Sequence, residues 1–565
     1  MKPLHCVATL TGLIFINGLI AIHSAQAAEA KYDLIIRHGK IVDGTGNPWV
    51  YGDVAVAGDR IVAVGRTLAG TGKREIDAQG LVVAPGFIDM HTHTDLPILE
   101  DGNAQSKIRQ GVTTDVVGEG NSVGPFKGKL SPQTVTFGRE SVKVSTLGEY
   151  LSILDRAGIA MNIASYVGEG QIWECVMGQS FDRPTAAQIQ TMKDLIAEAM
   201  KDGAFGLSSM VMFPPGSLAT ADELVALCQV VKQYGGIFQT HIRDEGLTEL
   251  DAIKEVIAVA ERANVPLDIL HLKISAQQKW GNMNQIVALI EDSRRRGFDI
   301  QANLYPYTRS NNNLGSIIPP WAHEGGRTEL LARLRDPAQR VRIKKDIRDG
   351  LPGWYNHYTA VGGDWSRMLI SDNSTFKGQT MDKVLAQRIS GKTPPPDLLD
   401  EFLNFLIEQG GSVGTIYNNM KEEDMNLAMV QPLCSFGSDG SALAIDGVLR
   451  RGSPHPRSFG TFPRVLGVYV RERGVLRLEE AVRKMTSLNA TMLGIRDRGL
   501  LRAGNFADIT IFDPQRIADR ATYEDPFQYP DGIGYVIVNG QIVIDQEKHT
   551  GARPGRALRH QAGTN

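Results

Sequence analysis

At 565 residues the chain is long enough for more than one domain, and 42% hydrophobic with 22% charged residues is the composition of a globular protein rather than a disordered one. A formal net charge of −3 gives no reason to expect nucleic acid or an acidic membrane surface as a partner. Of the cysteines, Cys6, Cys175, Cys228 and Cys434, none form a C-x-x-C pair, so buried free thiols are the expectation for the last three.

The first thirty residues read differently from the rest. Lys2 starts a short basic region, an apolar stretch runs from about Val7 to Ile22, and Ala25-Gln26-Ala27 supplies an A-x-A cleavage pattern. Residues 1–27 are therefore expected to be a secretory signal peptide, removed from an exported, periplasmic protein. An uncleaved anchor is the poorer reading, because the apolar run is short and His23 follows it. No later segment has the uninterrupted apolar length of a membrane span.

Residues 31–86 hold short β-branched runs (YDLIIRHGKIVDG, GDVAVAGDRIVAVG) separated by glycine and aspartate turns. The same texture returns over residues 499–553, in GNFADITIFDP and IGYVIVNGQIVID. One small β-sandwich built from both chain ends is expected; two unrelated β caps are the alternative.

Residues 87–498 alternate strand and helix. In TADELVALCQVVKQYGG, Thr220 and Glu223 form a capping box, and Leu224, Leu227, Cys228 and Val231 follow a helical spacing. A strand ending in His241 follows, then a helix over about Glu249 to Ala263, then the strand VPLDILHLK with His271 near its end. Such units predict a parallel sheet closed as a (β/α)₈ barrel. The rhythm breaks between Tyr307 and the expected strand MVQPLCSFGSDG, so an inserted subdomain is placed at about 310–420, as a pocket wall or a passive insertion.

GFIDMHTHTDL, residues 86–96, places His91, His93 and Asp95 on alternate positions after an apolar run, which on a strand points them to one side. One histidine at a strand end is unremarkable. His91, His93, His241, His271 and Asp439 at matching ends of separate units would gather at one rim of a barrel and form a metal site. Glu119, where the second strand should end, is the candidate bridging ligand; a turn carboxylate between two glycines is its plainer reading, and Glu169 is a weaker alternative ligand. One or two zinc ions held there would activate water, and Asp439 would move its proton to a leaving amine. The predicted chemistry is hydrolysis of an amide or related C–N bond.

These residues resemble the amidohydrolase superfamily. GAFGLSSMVMFPPG, THIRDEG, LHLKIS, NLYPYTRS and HPRSFGTFPRVLG resemble its N-acyl-D-amino-acid deacylase (D-aminoacylase) branch, over about residues 31–550. The resemblance implies His241 and His271 around a tighter zinc, with His91, His93 and Asp439 around a second. It also implies Asp439 as acid/base and Lys273, Tyr305 and Arg457 as holders of the substrate carboxylate; simple pairing of Lys273 and Arg457 with nearby acids is the plainer reading. The branch's cysteine loop GNCG is here GEGNSVG, which assigns its role to Glu119, and its GHG loop is GEG at Gly168–Gly170. The implied activity is hydrolysis of N-acyl-D-amino acids, with small-molecule partners. Dipeptides ending in a D-residue, cyclic amides, or a non-catalytic binding role on the same scaffold are the alternatives.

Overall fold

The computed structural model describes residue 1 and residues 31–371 and 375–561. Residues 2–30, which hold nearly all of the expected signal peptide, lie outside the described residues. Among the described residues, no helix is long and apolar enough to cross a membrane.

The two chain ends meet in one nine-stranded sheet. Its seam is antiparallel, Val82–Pro85 against Ile509–Phe512, with Thr510 opposite Ala84. The strand Lys31–Ile41 makes the sheet fold over. One edge pairs with Val50–Ala57; the other pairs first with Thr71–Asp77 and then, past a register shift between Ile36 and Gly39, with Val82–Pro85. His38 sits at that bend with φ of 57°. A bulge of this kind redirects a strand, and here it yields two layers over one core of Leu34, Ile36, Val54, Ile76, Val83, Ile509 and Ile537.

The middle of the chain is the (β/α)₈ barrel. Its strands are Phe87–Asp89 (β1), Val112–Val117 (β2), Asn162–Ser165 continued by Val167–Gly168 (β3), Gly206–Met210 (β4), Ile237–His241 (β5), Leu267–Ile269 (β6), Ile300–Leu304 (β7) and Cys434–Phe436 (β8). Neighbours pair in parallel from β1 to β2 to β3, and from β3 through β8. A parallel bridge between Thr92 and Gly440 closes β8 onto β1, with His93 N–H donating to Gly440 O at 2.8 Å.

Helix signals act as expected. Thr220 Oγ1 accepts from Glu223 N–H and Glu223 Oε2 accepts from Thr220 N–H at 2.8 Å, starting the helix Ala221–Gln233. That helix buries Leu224, Leu227, Cys228 and Val231. The next helix is Glu249–Ala263. Two strands are shorter than the apolar runs predict: β6 stops at Ile269, and Met429 closes the helix Glu422–Met429 rather than opening β8. Cys175, Cys228 and Cys434 are buried free thiols.

Between β7 and β8, the strands Ser310–Asn313, Met368–Ile370 and Gly414–Tyr417 form a small antiparallel sheet. Around it pack helices such as Arg327–Arg335, Pro337–Asp349 and Leu398–Glu408. They share a separate core that includes Ile317, Leu334, Ile347, Phe402 and Phe405. The charged run after Arg327 is two helices because Pro337 restarts it, with Asp336 capping Gln339 N–H at 2.8 Å. Pairing of the first and last strands returns the chain to the barrel rim it left.

Candidate metal centre

The barrel delivers its polar side chains from the C-terminal ends of its strands. β1 stops at Asp89, and His91 and His93 follow on the turn beyond it. β2 stops at Val117, and Gly118 and Gly120 take φ of 97° and 62° on either side of Glu119. A Cβ at Gly118 would sit 2.6 Å from Tyr166 O, and one at Gly120 would sit 2.9 Å from Met210 Cβ. The glycines therefore let the loop tuck against β3 and β4 and turn Glu119 inward. His241 is the last residue of β5. His271 and Asp439 follow β6 and β8 with φ of 32° and 50°, a left-handed conformation that side-chain-bearing residues adopt at a cost. Both strained residues belong to the site.

Two donor groups could hold metal ions: His91, His93, Glu119 and Asp439 in one, and Glu119, His241 and His271 in the other. Glu119 belongs to both. In the first group, His91 Nε2 stands 2.7 Å from Glu119 Oε2 and 3.7 Å from Asp439 Oδ1. His93 Nε2 stands 3.0 Å from Asp439 Oδ1 and 3.4 Å from Glu119 Oε2. Two ligand atoms on a tetrahedral zinc, each about 2.1 Å away, are separated by about 3.4 Å. The observed distances bracket that value, and imidazole nitrogens with carboxylate oxygens suit zinc. The donors fit the metal.

Protonation points the same way. His241 directs Nδ1 to Ile242 O at 3.0 Å, the pairing that leaves Nε2 with its lone pair. Burial and the charge of Lys273 lower His271 to about 4, so its imidazole is neutral, the ligand form. Burial opposes ionisation of Glu119, yet the neighbouring histidines, His91 foremost, hold it below its ordinary value. His93 is raised to about 9; burial acts against this, but its hydrogen bond to Asp439 and the charges of Glu119 and Asp439 prevail. The carboxylates thus create a demand for positive charge that a divalent cation satisfies better than a proton.

The residues expected to hold a substrate carboxylate, Lys273, Tyr305 and Arg457, line one cavity of about 540 Å³ together with His93, Glu119, His241, His271 and Asp439. Arg457 Nη1 lies 2.7 Å from Asp439 Oδ2, and Lys273 Nζ donates to Glu245 Oε1 at 2.5 Å. Both cations are therefore matched with carboxylates. The ring of Tyr305 stands 4.8 Å from the Arg457 guanidinium and 5.8 Å from Lys273 Nζ.

Asp95 stays apart from both donor groups. The two-residue alternation fails because the strand ends at Asp89 and the chain turns toward the short helix Pro97–Glu100. Glu169 is also outside them: it is buried at the start of the helix Glu169–Met177, and neither carboxyl oxygen has a hydrogen-bond partner among the described residues. Glu245 escaped the sequence reading. Its Oε1 lies 3.0 Å from His271 Nδ1 and 3.4 Å from His241 Nε2, and its place four residues after His241 in THIRDEG was the available signal.

The amidohydrolase family profile matches residues 74–393 and 433–544. A D-aminoacylase of Alcaligenes xylosoxydans xylosoxydans is 34% identical over 544 residues, covering 95% of this chain and 100% of that protein. An N-acyl-D-glutamate deacylase of the same organism is 32% identical, covering 94% of this chain and 98% of its own length. The crystal structure of N-acyl-D-glutamate deacylase from Bordetella bronchiseptica, complexed with zinc and a phosphonate inhibitor, superposes with a TM-score of 0.77 at 31% identity, over 94% of this chain and 100% of that one.

Proposed function

The chain belongs to the amidohydrolase family, and from that premise we propose that it hydrolyses the amide bond of N-acyl-D-amino acids, releasing a carboxylate and a D-amino acid, with zinc as its metal. The observation that carries this reading is Glu119, shared by two donor groups and lining one cavity with Lys273, Tyr305 and Arg457.

His91, His93 and Asp439 would hold one ion and His241 and His271 the other, with Glu119 between them. Bound zinc supplies a water of lowered pKa and polarises the substrate carbonyl. Asp439 does the proton work. Its Oδ2 faces Arg457 and its Oδ1 faces His93, so it is held ionised, well below the usual carboxylate range although burial opposes that, and is ready to accept a proton. It takes that proton from the attacking water and delivers it to the nitrogen that leaves. Arg457, Lys273 and Tyr305 are the donors available to a substrate carboxylate, which would share the two cations with Asp439 and Glu245.

The test is hydrolysis of N-acetyl-amino acids in matched D and L pairs by the zinc-loaded protein. Amine release from D-substrates only, abolished by a chelator and restored by zinc, is the expected result. Turnover of neither hand with zinc bound would reassign the site to dipeptides or cyclic amides. Export is part of the proposal: it is supported by Lys2, the apolar run to Ile22 and the Ala25-Gln26-Ala27 pattern. N-terminal sequencing of protein from the periplasmic fraction checks it, with a start after Ala27 expected.

A further inference from the structure

The inserted subdomain contributes one histidine to the cavity, His357, which is 3% exposed. Its ring is fixed on three sides. Tyr355 lies at 4.6 Å and Tyr417 at 4.7 Å between centroids, and Phe213 stacks at 5.9 Å with an interplanar angle of 18°. The backbone is held as well: Asn356 caps the helix His357–Ala360 and ties it to Ile347 O at 2.7 Å.

Hydrogen bonding sets the tautomer. His357 Nδ1 lies 3.2 Å from Ser316 Oγ. Ser316 has a single proton, and it donates that proton to Asn313 O at 2.6 Å, because a carbonyl cannot donate. Ser316 Oγ must therefore accept from His357 Nδ1–H. The lone pair of the neutral ring is left on Nε2, which makes no hydrogen bond with any described residue. Asn312, which also lines the cavity, spends its carbonyl oxygen on Asn313 N–H at 2.9 Å, and no described residue accepts from its amide N–H groups.

The cations of the cavity are already matched. Lys273 faces Glu245, Arg457 faces Asp439, and Arg451 faces Glu100 at 3.1 Å. With Lys273 and Arg457 given to the α-carboxylate, the remaining arginine among the described residues that line the cavity is Arg451, which is half-exposed and engaged with Glu100. Met210, Met212, Phe213 and Leu443 supply the apolar surface.

The geometry points to His357 as a specificity residue whose Nε2 accepts a hydrogen bond from an uncharged N–H or O–H on the substrate's amino-acid side chain, which makes the preferred substrate an N-acyl-D-amino acid with a neutral, donor-bearing side chain such as a carboxamide. This rests on the deacylase reading of the site. A side-chain carboxylate would meet the lone pair without a proton to offer, and an aliphatic side chain would leave it unpaired.

The experiment compares kcat/KM for N-acetyl-D-glutamine, N-acetyl-D-glutamate and N-acetyl-D-methionine in the zinc-loaded wild type and in His357→Phe, which keeps the stacked ring and loses the acceptor. Wild type is expected to prefer D-glutamine to both others by about 10-fold or more, the value of one hydrogen bond left unmade. His357→Phe should lose that preference, the ratio of kcat/KM on D-glutamine to that on D-methionine falling about 10-fold. His357→Gln, which restores an acceptor oxygen, should regain part of it. D-glutamate as the best substrate, or an equal loss on D-glutamine and D-methionine in His357→Phe, overturns the assignment of His357 and leaves the deacylase reading intact. No turnover of any N-acetyl-D-amino acid overturns that reading and this inference together.

Discussion

Two clusters of buried carboxylates sit one above the other in the barrel, and they are balanced by different means. In the lower one, Lys107 Nζ donates to Asp89 Oδ2 at 2.8 Å and to Ser438 Oγ at 2.6 Å, and lies 4.0 Å from Asp115 Oδ2. Asp89 Oδ1 accepts from Ser438 N–H at 2.7 Å, and Thr94 Oγ1 donates to Asp115 at 2.7 Å. The protein supplies its own cation there, and the network ties β1 to the loop after β8 where the barrel closes. In the upper cluster Glu119 and Asp439 face histidines that are neutral in their ligand form, and one of them, His93, is drawn toward protonation. Similar carboxylates thus meet a fixed lysine in one cluster and histidines in the other, where a divalent cation would fit.

The largest effect separating the clusters is expected from Asp439→Asn. The amide keeps an oxygen for the metal and the contact with Arg457, but it cannot carry a proton between water and the leaving nitrogen. Turnover should fall by about 10³-fold. Zinc content by metal analysis should stay near wild type. A fully active variant would rule the aspartate out as the base.

Lys107→Met tests the lower cluster, and its expected effect is on stability rather than chemistry. Removing one partner of a buried, hydrogen-bonded ion pair costs about 3–5 kcal/mol. Urea denaturation should show that loss. The deficit should grow as pH rises: burial already lifts Asp115 to about 7 with the lysine present, and without it the folded state must hold a proton that the unfolded state releases near pH 4. Zinc content in the folded fraction should be unchanged. Loss of zinc with stability intact would mean that the two clusters are one functional unit.

The sequence makes the upper cluster legible and hides the lower one, for a physical reason. His91, His93, His241, His271 and Asp439 are residue types seldom needed at strand ends, and their spacing by βα units brings them to one rim. Asp89, Lys107 and Asp115 point into the barrel from β1, a four-residue helix and β2, and nothing in IDM, SKI or TTDVV sets them apart from surface charges. Asp95 misled for the complementary reason: alternation holds only while the strand lasts, and β1 ends before His91. His357 was invisible because its role depends on the fold of an insertion whose helical pattern says nothing about which residue reaches the cavity.

A third buried carboxylate completes the comparison, because Glu169 has neither a lysine nor a place in the metal groups. It is 1% exposed, both oxygens lack hydrogen-bond partners among the described residues, and burial together with the charge of Glu223 raises it to about 8 despite Arg243. Its neutralising cation is a proton. The sign follows from linkage. Between the unfolded carboxyl value near 4.5 and about 8, the folded protein binds one proton more than the unfolded chain, so Glu169 takes about 1.4 kcal/mol from stability for each pH unit gained. Glu169→Gln keeps the shape and removes the titration. The variant should match wild type near pH 5 and become the more stable of the two as pH approaches 8, read as a difference in urea midpoint that widens with pH. A constant difference would show that Glu169 is ionised in the folded state, and that an unseen cation meets it as Lys107 meets Asp89.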